Sequence, residues 1–213
     1  MGQRVADAAP NPSGRVVVVN GSGSSEPLGA GGSDVIYSVR LPKGAACPGD
    51  SAHSDYRVQS YLVPTNAEPA KIVYQSIGPK VPGALALYKA TTNAFVNEQT
   101  ANAEKRGAPG TILPPPDMTF AIFTPADLHP GRYHMGIACS LYNVTKRYWA
   151  GQDIVFTADA KDKPGGFTWR LVGSQAAVSS GSSAKPVAAA VTGVVILVVV
   201  FSITRRMPKG NTK

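Results

Sequence analysis

The chain has 213 residues, 43% hydrophobic and 16% charged, with 22 glycines, 18 prolines and only two cysteines. Its formal charge of +8 hints at an acidic partner, yet five of its 21 basic residues lie from Lys185 to Lys213 among no acids, which leaves 16 bases against 13 acids, a net of +3, in everything before them. With no long basic run and no interleaved aromatics, this composition excludes a nucleic-acid binder.

In chain order, Met1 to Gly14 reads as a disordered N-terminal segment. Ala6, Asp7 and Ala8 match the small-x-small pattern that precedes a signal-peptidase cut. They are either the remnant of an export leader, with the mature chain starting near Ala9, or a coincidence in an alanine-rich stretch. Without a leader, the apolar run near the far end would act as a tail anchor and the large domain would face the cytoplasm.

Residues 15–173 read as one domain, long enough for one sizeable core. Strands are expected at Arg15 to Asn20, Asp34 to Leu41, Tyr56 to Val63, Lys71 to Ile77, Ala84 to Ala90, Met118 to Thr124, Gly131 to Leu141, Arg147 to Thr157 and Phe167 to Val172. Turn formers such as Asn20-Gly21, Gly78-Pro79, Pro82-Gly83, Pro109-Gly110 and Pro130-Gly131 separate them, the pattern of an antiparallel sandwich or barrel. Alternation places Tyr56, Val58, Ser60 and Leu62 on one face of their strand and Arg57, Gln59, Tyr61 and Val63 on the other. The glycines at 21–23 and 29–32 lack the Lys-Ser/Thr of a phosphate loop and read as loop or linker. Asn93 to Lys105 is the best helix candidate in this domain and is expected to form a loop with at most a turn or two.

Cys47 and Cys139 suit one structural disulfide in an oxidising compartment, two free buried thiols being the alternative. Closing a loop of about 93 residues would stabilise the fold by roughly 4–5 kcal/mol on the chain-entropy model. The stretch Pro130-Gly131-Arg132-Tyr133 through Cys139 is a turn feeding a strand, with Tyr133, Met135, Ile137 and Cys139 on one face. It resembles the late strand of immunoglobulin-like and related bacterial sandwich domains over roughly Arg15 to Thr157. The resemblance implies an all-β, single antiparallel immunoglobulin-like β-sandwich. Here the tyrosine stands six residues before the second cysteine instead of two, Trp149 follows that cysteine, and Cys47 lies in a Pro- and Gly-bounded segment. A bridge that pins a loop to a strand, instead of joining two sheets, is therefore open. Cys-Pro-Gly-Asp-Ser at 47–51, with Tyr56 to Gln59 and Gly136 to Cys139, also looks like uncharacterised exported, membrane-anchored proteins of high-GC actinobacteria, a likeness that brings no function.

No catalytic constellation emerges. Ser51, His53 and Asp55 are neighbours on a loop, whereas the members of a triad converge from separate elements. The histidines His53, His129 and His134 show no metal-ligand spacing, so neither metal nor cofactor is expected. Two surfaces are candidates for contact. Tyr142, Lys146, Arg147, Tyr148 and Trp149 crowd the hairpin after Cys139 and mix aromatic bodies with cationic tips, with core packing of Trp149 as the alternative. The Pro-rich loop Pro109 to Asp117, including Pro114-Pro115-Pro116, either displays a stiff extended segment or braces a long connection.

Residues 174–186 form a small-residue stalk. Val187 to Thr204 is then uncharged and mostly apolar, about 27 Å long as a helix and close to the hydrocarbon thickness of a bilayer. Its expected partner is membrane lipid. Arg205, Arg206, Lys209 and Lys213 follow without an acid, which the positive-inside rule reads as a cytoplasmic tail, with the N-terminal domain outside a single-pass cell membrane protein. No Leu-Pro-x-Thr-Gly sorting signal stands in the stalk. The expected function is a membrane-anchored, surface-exposed, non-enzymatic interaction or structural module, adhesin-like, whose partner is an extracellular protein or glycan. The alternatives are an accessory subunit docked on another membrane protein through its helix, where Ala188/Thr192 and Ala189/Gly193 permit close approach, and, more remotely, an exported hydrolase.

Overall fold

The strand with the clearest alternation organises the fold. The computed structural model describes residues 10–90, 93–106 and 109–174, excepting the side chains of 105 and 106. Within them run β1 (Val17–Val19), β2 (Ala30–Gly32), β3 (Ser38–Arg40), β4 (Tyr56–Pro64), α1 (Phe95–Ala101), β5 (Gly131–Leu141), β6 (Val144–Ala150), β7 (Ile154–Ala158) and β8 (Phe167–Leu171). The protein is mostly β. β1 and β3 form a two-stranded antiparallel sheet, and the other six strands form a second, in the order β2-β8-β7-β5-β4 with β6 also on β5.

β5 is the spine of the larger sheet. One edge pairs with β4 from Tyr133↔Pro64 to Leu141↔Tyr56. The other edge pairs first with β7, then with β6. The expected single strand Arg147 to Thr157 is thus two strands laid end to end. Their registers, Gly136↔Ala150 and Tyr133↔Ile154, differ by one residue, the mark of an extra residue accommodated at 151–153. The Gly151 N–H still donates to the Met135 carbonyl at 2.7 Å across the interruption.

Period-two alternation decides what each face buries. From β5, Tyr133, Met135, Ile137 and Cys139 enter the main core with Val58 and Leu62 of β4, Trp149 of β6 and the aromatics Phe156, Phe167 and Trp169. Tyr37 and Phe120 stack there at 4.6 Å, and Phe120 meets Phe156 edge-on at 5.0 Å. On the opposite face, Tyr61, Val63, Ala138 and Tyr148 pack under Ile72 and Tyr74, contributed by the segment after β4. The middle of the sheet is therefore covered on both sides. This explains Gly136: a Cβ there would strike the Trp149 carbonyl and the Tyr61 hydroxyl.

Three expected strands are reduced to isolated bridges. Residues 71–77 reach the larger sheet through Val73↔Val144 and 84–90 through Leu62↔Leu85, whereas 118–124 bridges only to residues outside the strands, Tyr37↔Met118 and Lys89↔Met118. Gly78, Pro79, Pro82 and Gly83 break the first two, and Thr119 turns the third, its hydroxyl accepting from the Ala121 N–H and donating to the Ser33 carbonyl. Glycine-rich 30–32, read as loop, forms β2 against β8. In 93–105 a two-turn helix, α1, forms, followed by a 3-10 turn at Ala103–Arg106. Among the described residues no helix is long and apolar enough to cross a membrane. The expected span Val187 to Thr204, its basic tail and all of the stalk except Ser174 lie outside the described residues, as do residues 1–9.

Candidate functional site: a cleft beside β3

The site begins with a ladder that cannot continue. Tyr37 and Met118 exchange both main-chain hydrogen bonds, at 2.9 and 2.7 Å. In the same register Val39 would meet Pro116, and Pro114, Pro115 and Pro116 all lack the N–H a ladder needs. Pairing resumes only at Ala46↔Thr111, where the Cys47 N–H donates to the Gly110 carbonyl at 2.7 Å. Gly110 is required there, because its φ is +76° and a Cβ would collide with the Cys47 carbonyl. Between the two bridges lie eight residues, 38–45, on one side and six, 112–117, on the other, so the segments bow apart.

The opening is a cleft of about 450 Å³, lined among others by Val19, Val39, Leu41, Ile112, Leu113 and Pro114. Both walls are fixed. The Ser38 and Ser22 hydroxyls donate to the Pro115 carbonyl at 3.0 and 3.1 Å. Buried Gln99 of α1 holds Leu113 from behind, its amide nitrogen donating to the Leu113 carbonyl and its amide oxygen accepting from the Leu113 N–H, each at 3.1 Å. The Pro-rich loop is thereby clamped at two points rather than displayed.

Alternation along β3 sets the chemistry of the floor. Tyr37 bonds Met118, and neighbouring residues of a strand point their main-chain groups to opposite edges. The Val39 N–H and carbonyl therefore turn away from β1, toward the proline segment, and they are buried there, Val39 being 1% exposed. A smaller hollow of about 140 Å³ adjoins it, sharing Pro42 and residues 44–46, with Lys43, Arg147 and Trp149 in its lining. The charged residues lining the two are Arg40, Lys43 and Arg147, all positive.

The Cys47–Cys139 disulfide is formed, with Cα atoms 5.5 Å apart, and joins a segment outside any strand to β5 near its C-terminal end. It pins a loop to a strand. The five side chains of the hairpin patch do not share one surface. Trp149, 2% exposed, belongs to the main core, while Tyr148, 8% exposed, lies under Ile72 and Tyr74 on the other face. Arg147 is half-buried, its guanidinium donating to the Ala46 carbonyl at 2.8 Å. Lys146 is exposed, and Tyr142 is 76% exposed at a two-residue turn where it and Asn143 have φ of +49° and +68°.

Elsewhere, His53 pairs with Asp50 through Nδ1 at 2.7 Å rather than with Ser51 or Asp55. Its pKa is raised by that hydrogen bond and by the charges of Glu104 and Asp50. His134 Nδ1 lies 2.7 Å from Asp153, which also accepts from the Arg132 guanidinium. Sequence reasoning singled out the proline run but not the cleft beside it; the clue was the juxtaposition in space of three missing donors and an expected strand.

Fold and site together define a mainly β protein with antiparallel sheets and one disulfide. No family model, no curated protein and no solved structure matches the chain.

Proposed function

We propose that the chain is a membrane-anchored, non-enzymatic interaction module. Residues 15–173 make an immunoglobulin-like β-sandwich outside the cell, 174–186 a stalk, Val187 to Thr204 a spanning helix and 205–213 a cytoplasmic tail. The observation that supports a binding role is the cleft beside β3: its apolar lining, fixed walls and volume fall in the range of roughly 300–1,000 Å³ typical of ligand sites. The disulfide fits display in an oxidising space. Contact with the partner is assigned to the cleft and its cationic rim; Tyr142 and Lys146 of the hairpin are exposed but line neither hollow.

Protease treatment of intact cells tests the arrangement. The β body is expected to be shed while a short fragment containing the span stays with the membrane; full protection until lysis would place the body inside and reject the proposal.

A further inference from the structure

We propose that the cleft binds a small amphipathic acid, an aliphatic body with one carboxylate head, its body seated between the walls and its head at the Arg40 guanidinium. This rests on reading the chain as an interaction module and names what its cleft holds.

Three observations converge on this occupant. The first is shape. The Tyr37–Met118 and Ala46–Thr111 pairs close the two ends of the gap, and the Ser38 hydroxyl crosses it to the Pro115 carbonyl. A polymer has no passage through such a space, so the occupant is a compact molecule that enters from solvent, and the volume of about 450 Å³ suits a small ligand. The second is the wall that such a molecule meets. Val19, Val39 and Ile112 of the lining are buried, whereas Leu41, Ala45 and Leu113 are half-buried and Pro114 is exposed. The accessible surface is chiefly aliphatic, and a hydrocarbon body gains by leaving water for it. A sugar needs many polar partners instead, and the Ser38 and Ser24 hydroxyls are already engaged, by the Pro115 carbonyl and the Glu26 N–H. The third is charge. Arg40 lines the cleft with an exposed side chain, and Lys43 and Arg147 line the hollow that adjoins it, with no acid among the lining residues of either. The Arg40 Nη1 donates to the Ser25 carbonyl at 3.3 Å, which engages one donor of a fork that carries several. Glu26 and Asp117, close to lining residues in the chain, are held by the Asn20 amide and the Ser22 N–H. A carboxylate head is the complement of this rim, and a guanidinium binds it bidentately.

The test is photoaffinity labelling of the purified full chain in phosphatidylcholine nanodiscs, with an octanoate that carries a diazirine near its methyl end, read by peptide mapping. Label should fall within residues 38–46 and 111–115, and excess plain octanoate should suppress it. The matching alcohol probe, which lacks the charge, should need a concentration about tenfold higher for half-labelling, and so should the acid probe on Arg40→Gln, as the loss of a hydrogen bond between charged groups implies. Ala45→Trp, which fills the cleft, should abolish the label. Near-ultraviolet circular dichroism verifies folding of both variants; should the tryptophan variant not fold, the comparison of acid with alcohol on the wild-type chain still decides. Label confined to 187–204 or scattered over the surface, equal potency of acid and alcohol, labelling unchanged by Arg40→Gln, or persistence of the label in folded Ala45→Trp would each overturn the proposal. Because the labelling uses purified protein, its outcome is independent of the protease experiment on cells: failure there rejects display, and failure here rejects the amphipathic acid.

Discussion

The Arg147 guanidinium donates to the Ala46 carbonyl at 2.8 Å, and the residue opposite Arg147 on β5 is Cys139, itself bonded to Cys47. One loop is therefore fastened twice to one place on the sheet, covalently at 47 and by a charged hydrogen bond at 46. Replacing both cysteines by alanine is expected to reduce stability by about 4–5 kcal/mol, since the bridge closes 92 residues of chain. Arg147→Met should cost about 1.5–3 kcal/mol, the usual worth of a hydrogen bond to a charged group. Urea denaturation of the two variants checks both; a midpoint for Arg147→Met equal to wild type would show that the second fastening is idle.

Trp149→Ala should lower stability by about 3–5 kcal/mol, because it empties a site in the main core. Tyr142→Gly should stay within about 0.5 kcal/mol of wild type, losing little packing while relieving a positive φ at a bulky residue. Thermal melts of the pair separate the two aromatics. If the Trp149 variant melted like wild type, the burial described for it would be wrong.

Gly136→Ala adds one carbon where the Trp149 carbonyl and the Tyr61 hydroxyl already stand. The strands must separate or Tyr61 must leave its pocket, an overpacking penalty of about 1–3 kcal/mol or more. Hydrogen exchange should show the loss concentrated at amides of β4, β5 and β6.

Burial pushes the Asp153 carboxyl up, but hydrogen bonds from His134 and Arg132 and their charges outweigh it, so its pKa lies below the ordinary carboxylate value. A depressed folded-state value means that Asp153 contributes its full stabilisation above the unfolded pKa of about 4 and loses it as pH falls through the folded value. Asp153→Asn should therefore be less stable than wild type at pH 6, and the gap should narrow below about pH 4. Denaturation midpoints measured from pH 2 to 7 would reveal a constant gap if the carboxylate had no such role.

Much of the larger sheet was legible because its strands obey one rule at a time. Gly131 to Leu141 and Tyr56 to Val63 alternate cleanly and occur as β5 and β4 with the expected faces. Residues 71–77 have a similar apolar content, but they cross over a sheet face and touch it at single bridges, a tertiary arrangement that periodicity does not carry. β2 was hidden by composition: Ala-Gly-Gly has no strand propensity of its own and is held by pairing with β8. The candidate site was legible only in part. Three consecutive prolines announce a segment without donors, yet the strand that segment faces lies about 75 residues earlier in the chain, and only the folded topology brings the two together. In the hairpin patch, adjacent aromatics in a strand necessarily point to opposite sides, so Tyr148 and Trp149 are on separate faces of the sheet.

The segment that carries Cys47 also supplies, through residues 44–46, one wall of the cleft. Oxidation at sulfur and the shape of the recess are thus coupled: cutting the bridge with a reductant removes the covalent fastening of this wall and leaves it held by hydrogen bonds alone. Protein produced in a reducing cytosol would carry a slack-mouthed version of this recess, and a compartment that oxidises thiols would be the place where it acquires its final form.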